Sequence, residues 1–127
     1  MTLAERAVAC KGWRWLPGML TAEGYRVVVA RAVDGECLLL AGDERKTWHD
    51  DEDAHQPDLD DPCTLGGLLA LVREAWGEPV ASISWWDRWA VDEDTPGWDL
   101  TVGDLPVLGI EAPSEAEALV CALEAAP

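Results

Sequence analysis

A chain of 127 residues suits one domain, and 49% apolar residues are enough to build a core and to exclude wholesale disorder. Twenty-five acidic residues against nine basic ones give a formal net charge of −16. That charge excludes ordinary phosphate-neutralising contact with nucleic acid and attraction to anionic membranes, and it favours solubility and basic partners. The imbalance is uneven: residues 1–42 carry four acids and five bases (net +1), residues 43–61 nine and two (−7), and residues 62–127 twelve and two (−10).

Taken in chain order, Thr2 and Glu5 stand at capping-box spacing, and Leu3, Ala7 and Cys10 follow at helical intervals. This predicts a first helix over 3–11, closed by Gly12 in a left-handed conformation. Trp13 to Leu16 is a short strand candidate before the Pro17-Gly18 turn. Tyr25–Val33 and Glu36–Ala41 read as antiparallel strands joined at Asp34-Gly35, a dipeptide that favours a tight hairpin turn. Both strands are apolar on both faces, the pattern of strands covered on both sides. Residues 43–61 have dense charge and no periodicity, and read as a solvated acidic loop.

Asp61 is placed to cap a helix with Pro62 at its first position. Leu65, Leu68, Leu69, Val72 and Trp76 form its apolar stripe, and Gly77 and Pro79 end it. The Gly66-Gly67 pair inside this helix predicts close packing. Residues 80–91 alternate, with Ala81, Ile83, Trp85, Trp89 and Val91 on one face and Ser82, Ser84, Trp86 and Arg88 on the other. Asp87 falls on the apolar side and predicts a break in the strand. Trp98–Val102 and 105–110 read as further strands. Ser114 and Glu117 repeat the capping-box spacing ahead of a last helix carrying Ala116, Leu119, Val120 and Leu123.

The alternation of helices and strands predicts an α/β fold, a three-layer-like sandwich in which helices pack on an antiparallel-rich sheet. It predicts a single domain over 1–127 with an acidic loop at about 43–61. Gly12-Trp13-Arg14-Trp15, the run from Pro57 through Gly66 into Leu68–Gly77, and the ending Glu115–Val120 with Leu123–Ala126 together resemble the phage ABA sandwich family of small phage and prophage proteins. The resemblance implies a three-layer α/β/α domain of phage or prophage origin and implies no catalytic residues.

Chemistry-bearing patterns are few. His49 and His55 lie among Asp50, Asp51, Glu52, Asp53, Asp58, Asp60 and Asp61, a residue mix from which zinc, iron or calcium ligands are drawn. Read from Asp51, however, Gln56 stands where a calcium loop needs Gly, and Pro62 where it needs an acid. The expectation is a metal-free loop and no cofactor. The chain has no G-x-G-x-x-G, phosphate-loop, H-E-x-x-H or G-x-S-x-G pattern. Cys10, Cys37, Cys63 and Cys121 are widely spaced, and Cys10 and Cys121 read as small hydrophobes on helices. Eight Trp with one Tyr and no Phe point to half-buried rings at edges or interfaces, because the indole N–H needs a partner. Trp86 beside Arg88 has the character of an interface anchor.

These observations favour a non-enzymatic phage or prophage accessory protein that binds a basic host or phage protein through an acidic surface. In its strongest form it inhibits a host defence system by imitating DNA. The expected contacts are Trp86, Arg88, Asp50, Asp51 and Asp53. The alternatives are a small phage structural or assembly protein, or a metal-dependent enzyme using the His/Asp-rich loop. No apolar run approaches the ~18–20 residues of a membrane span, and the N-terminal stretch lacks a secretory pattern, so a cytoplasmic location in the host cell is expected.

Overall fold

The computed structural model of the chain describes residues 1–32, 35–41, 46–47, 55–86, 97–102 and 105–127. In order, the elements are α1 (Leu3–Ala9), β1 (Arg26–Ala32), β2 (Gly35–Ala41), β3 (Lys46–Thr47), α2 (Pro62–Trp76), β4 (Ala81–Trp86), β5 (Gly97–Val102), β6 (Leu105–Glu111) and α3 (Glu115–Glu124). The fold is α/β, with antiparallel sheets and helices packed on a sheet. The strands form two three-stranded sheets, β1-β2-β3 and β4-β5-β6. The residues divide into two compact units, one of residues 1–13 with 68–127 and one of residues 14–67.

In the first unit, α3 packs on β4, β5 and β6, and α1 packs on α3. Cross-strand partners share a face of a sheet. The register Ile83↔Leu100 and Leu100↔Leu108 therefore puts these three on one face, and Ser84↔Asp99 and Asp99↔Gly109 put those three on the other. Ala81, Leu100 and Ile110 are buried with Ala118, Leu119, Val120, Ala122 and Leu123 of α3. A register irregularity between Leu100 and Thr101 shifts the pairing with β6. Both helices start as their sequences dictate. Thr2 accepts from the Glu5 N–H at 3.1 Å while Glu5 accepts from the Thr2 N–H at 2.7 Å, completing the capping box. Ser114 accepts from the Glu117 N–H at 3.2 Å. Two indole groups meet the need that their number implied: Trp76 donates to the Ala122 carbonyl at 2.8 Å and Trp98 to the Ala112 carbonyl at 3.1 Å.

In the second unit, β1 and β2 pair antiparallel as the hairpin pattern predicts, from Arg26↔Ala41 to Ala32↔Gly35, but the register differs from the expected one: Gly35 pairs with Ala32 as the first residue of β2 and is not in the turn. Asp61 caps α2, accepting from the Thr64 N–H at 2.9 Å and the Thr64 hydroxyl at 3.1 Å. The Thr64 hydroxyl oxygen in turn accepts from the Leu20 N–H at 2.9 Å, so the helix start holds the chain that leads into β1. Gly67 permits close packing, as expected: a Cβ there would lie 2.7 Å from Met19 Cε, whereas one at Gly66 would meet nothing within 4 Å.

Several expectations need correction. The segment 13–16 is not a strand. It is turned at its start by the Trp13 N–H donating to the Cys10 carbonyl, and at its end by the Met19 N–H donating to the Leu16 carbonyl. The first helix ends at Ala9, capped by Cys10 in an extended conformation, and Gly12 is not among the glycines of positive φ. Its hydrogen side chain instead lets α3 and α2 approach, since a Cβ at Gly12 would stand 3.1 Å from Leu123 Cδ1 and 3.3 Å from Ala75 Cβ. β1 is not covered throughout: Val27 is 1% exposed but Val29 is 44% exposed. The acidic stretch 43–61 is not loop throughout, because β3 pairs with Leu39 and Leu40 of β2 and Thr21 bridges to Pro57. On α2 the fully buried row is Leu68, Leu71 and Val72 with Thr64, while Leu65, Leu69 and Trp76 are half-buried. The stripe is rotated toward Thr64 because that hydroxyl is drawn inward to cap the Leu20 N–H.

Candidate functional site

The distribution of engaged and free charge is the most informative chemical feature of the described residues. Three arginines are held inside their own unit. Arg6 on α1 donates to Glu124 at 2.6 Å and Glu117 at 3.3 Å, both on α3, and to Cys121 Sγ at 3.6 Å. Its partners, Glu124 foremost, hold the guanidinium further above its already high pKa, so it is a permanent cation. Arg26 on β1 donates to Asp61 at 2.8 and 3.3 Å and to the Gly18 carbonyl at 2.9 Å. The Arg26 hydrogen bond, aided by the Thr64 N–H and hydroxyl and opposed by burial, holds the Asp61 carboxyl below the usual carboxylate range. Arg73 on α2 donates through Nε to the Ala81 carbonyl at 2.7 Å.

The carboxylates are placed differently. Glu111 ends β6 and Glu115 opens α3; both are exposed, and half-buried Glu117 lies two residues further on. The three crowd the corner where the strand turns into the helix. Glu115 and Glu117 stand in the first turn of α3, where acids face the positive end of the helix dipole. Asp60 is likewise exposed beside the start of α2. A second acidic feature is unexpected. Asp99 in β5 is only 3% exposed, and its Oδ1 has no hydrogen-bond partner among the described residues. The signal available in the sequence was a lone acid inside the otherwise uncharged strand Gly97–Val102, which alternation alone does not mark as buried.

The expected partner-binding residues are placed only in part. Trp86 is the last residue of β4, its backbone opposite Gly97. Arg88, Asp50, Asp51 and Asp53 lie outside the described residues, as do His49, Asp87 and Trp89. His55 is described: its Nδ1 lies 3.5 Å from Glu23 Oε2. Burial works against the charged form of Glu23, but hydrogen bonds from its own backbone N–H and from His55 outweigh it and hold the carboxyl low. Among the described residues, no three His, Cys, Asp or Glu side chains are grouped so as to hold a metal ion.

One cleft, of about 580 Å³, opens in the first unit between Arg6, Cys10 and Lys11 on one side and Ala75, Leu123 and Glu124 on the other. Burial and the nearby Glu124 push the Cys10 thiol up, against the opposing pull of Arg6. The thiol donates to the Arg6 carbonyl at 3.3 Å. A thiol kept protonated, beside an arginine and a glutamate that neutralise each other, does not form a nucleophile with its base. Cys10, Cys63 and Cys121 are all free thiols.

No family model, curated protein or solved structure matches this chain. No helix among the described residues is long and apolar enough to cross a membrane.

Proposed function

We propose that this chain is a non-enzymatic binding protein whose acidic surface engages a basic protein partner. One observation carries the reading. Among the described residues Arg6, Arg26 and Arg73 are engaged within their own units, and the exposed charge is mostly acidic, with Glu23, Asp60, Glu74, Glu111 and Glu115 against Lys11 and Arg14. Like charges at this density loosen a compact domain, a cost that a basic partner offsets on binding. Exposed carboxylates accelerate encounter, and an aromatic anchor such as Trp86 slows dissociation. The sequence resemblance to small phage proteins supports a phage or prophage accessory role, and the acidity supports a host nucleic-acid-binding protein as target.

Capture from host lysate across a salt series tests this. Retained proteins are expected to be basic and to elute as salt rises. Changing Asp50, Asp51 and Asp53 together to Asn is expected to slow association and flatten its salt dependence, and Trp86→Ala to speed dissociation. Partners that are not basic, or retention indifferent to salt, would overturn the reading and leave the acidity serving solubility.

A further inference from the structure

β6 lies at one edge of the order β4-β5-β6 and pairs with β5 on one side only among the described residues. An edge strand presents unpaired N–H and C=O groups, and proteins ordinarily blunt such edges with charge or cover them. Among the described residues no strand pairs with this edge, and its first charged residue is Glu111. Leu105 to Ile110 contains no charged residue. Leu105 is 67% exposed and Val107 43% exposed, and Pro106 and Gly109 are exposed too. From Val107 onward the strand alternates cleanly: Leu108 and Ile110 turn to the covered side, and Val107, Gly109 and Glu111 turn to solvent. Pro106 lacks an N–H, so it can donate nothing, and the continuous edge runs from Val107 to Glu111.

Resting on the reading of an acidic protein with a basic partner, we propose that the β6 edge is where that partner docks, by adding an extended segment as a fourth strand of the sheet. The occupant is a strand that alternates apolar and basic residues. Its apolar side chains would extend the face of Leu105, Leu108 and Ile110, and its basic ones would lie on the face of Val107 and meet Glu111 at the end of β6. Charge selects this occupant over a second copy of the chain: two copies at −16 each repel, and both would bring glutamates to the same corner. Strand addition supplies affinity through backbone hydrogen bonds and specificity through alternate side chains, so it needs no preformed pocket.

The probe is a synthetic dodecapeptide alternating lysine and valine. Its control has the same sequence with alternate backbone nitrogens methylated, which keeps charge and side chains but removes strand donors. The alternating peptide is expected to bind about tenfold or more tighter than the methylated one, a difference of one decade in Kd. Binding is also expected to slow hydrogen exchange of the backbone amides in Val107–Glu111. Leu105→Asn with Val107→Asn, both at exposed positions, is expected to remove most of that preference without altering the methylated peptide's affinity. If the two peptides bind equally and β6 exchange is unchanged, the edge is not the docking site, although the acidic-surface reading stands. If neither peptide binds even at low salt, that reading falls as well. A rise in oligomeric state that tracks β6 protection without peptide would assign the edge to a second copy and overturn the proposal.

Discussion

Arg26 and Arg6 each join two elements of one unit through carboxylates, yet they differ in worth. Arg26 meets Asp61, whose side chain is 12% exposed, and the same carboxylate caps α2 while the bonded Thr64 hydroxyl fixes Leu20. Arg6 meets Glu117 and Glu124 on a half-exposed seam, where neither carboxylate does a second structural task. A surface ion pair recovers little, because water and salt already stabilise the separated charges. A carboxylate that also satisfies orphaned helix N–H groups leaves several groups without partners when it is removed. The lesson is that the number of partners per charge, not the number of ion pairs, decides stability here.

The largest break in this comparison is expected at Asp61. Asp61→Ala should cost about 2 kcal/mol, combining a lost helix cap with an arginine left unpaired, read from denaturant melts. A loss no greater than that of the Arg6 variant below would show that the cap adds nothing to the pair.

Acid sharpens the same contrast. The folded Asp61 carboxyl titrates below its unfolded value because of Arg26. The stability it contributes is therefore fully present above the unfolded value of about 3.9 and is lost as pH falls through the lower folded value. The melting-temperature gap between the native chain and Asp61→Asn should be constant at neutral pH and should close below pH ~4. A gap that stays open there would place the effect in packing.

Two adjacent glycines give a smaller effect of opposite sign. At Gly67 the new Cβ would press on the fully buried Met19, at 2.7 Å from its Cε and 3.1 Å from its Cγ. Gly67→Ala should therefore lose about 1 kcal/mol despite the gain in helix propensity. Gly66→Ala meets open space and should gain about 0.5–1 kcal/mol. The smallest effect is expected at Arg6→Gln, below about 1 kcal/mol and shrinking with added salt.

Much of this fold was legible in the sequence because the signals are local. Thr2 with Glu5, Asp61 with Pro62, Gly77 at φ +65°, and Ser114 ahead of Glu117 each mark a helix end, and the structure uses each of them there. What was not legible depends on residues distant in sequence. The α2 stripe is rotated because Thr64 answers a backbone N–H 44 residues earlier. Gly12 serves packing because Leu123 and Ala75 arrive beside it, which no local pattern announces. The site was read from charge density in residues 43–61 and from the tryptophan cluster. The burial of Asp99 and the exposure of Leu105 and Val107 follow from strand order, which composition does not contain.

The central claim is that outward carboxylates recruit a basic partner, and its most direct test is the association rate of the alternating lysine–valine peptide as a function of ionic strength. The rate is expected to fall steeply with salt for the native chain and more gently for Glu111→Gln with Glu115→Gln, while dissociation changes little. An association rate that is flat across the salt series, or identical in the two proteins, would contradict it.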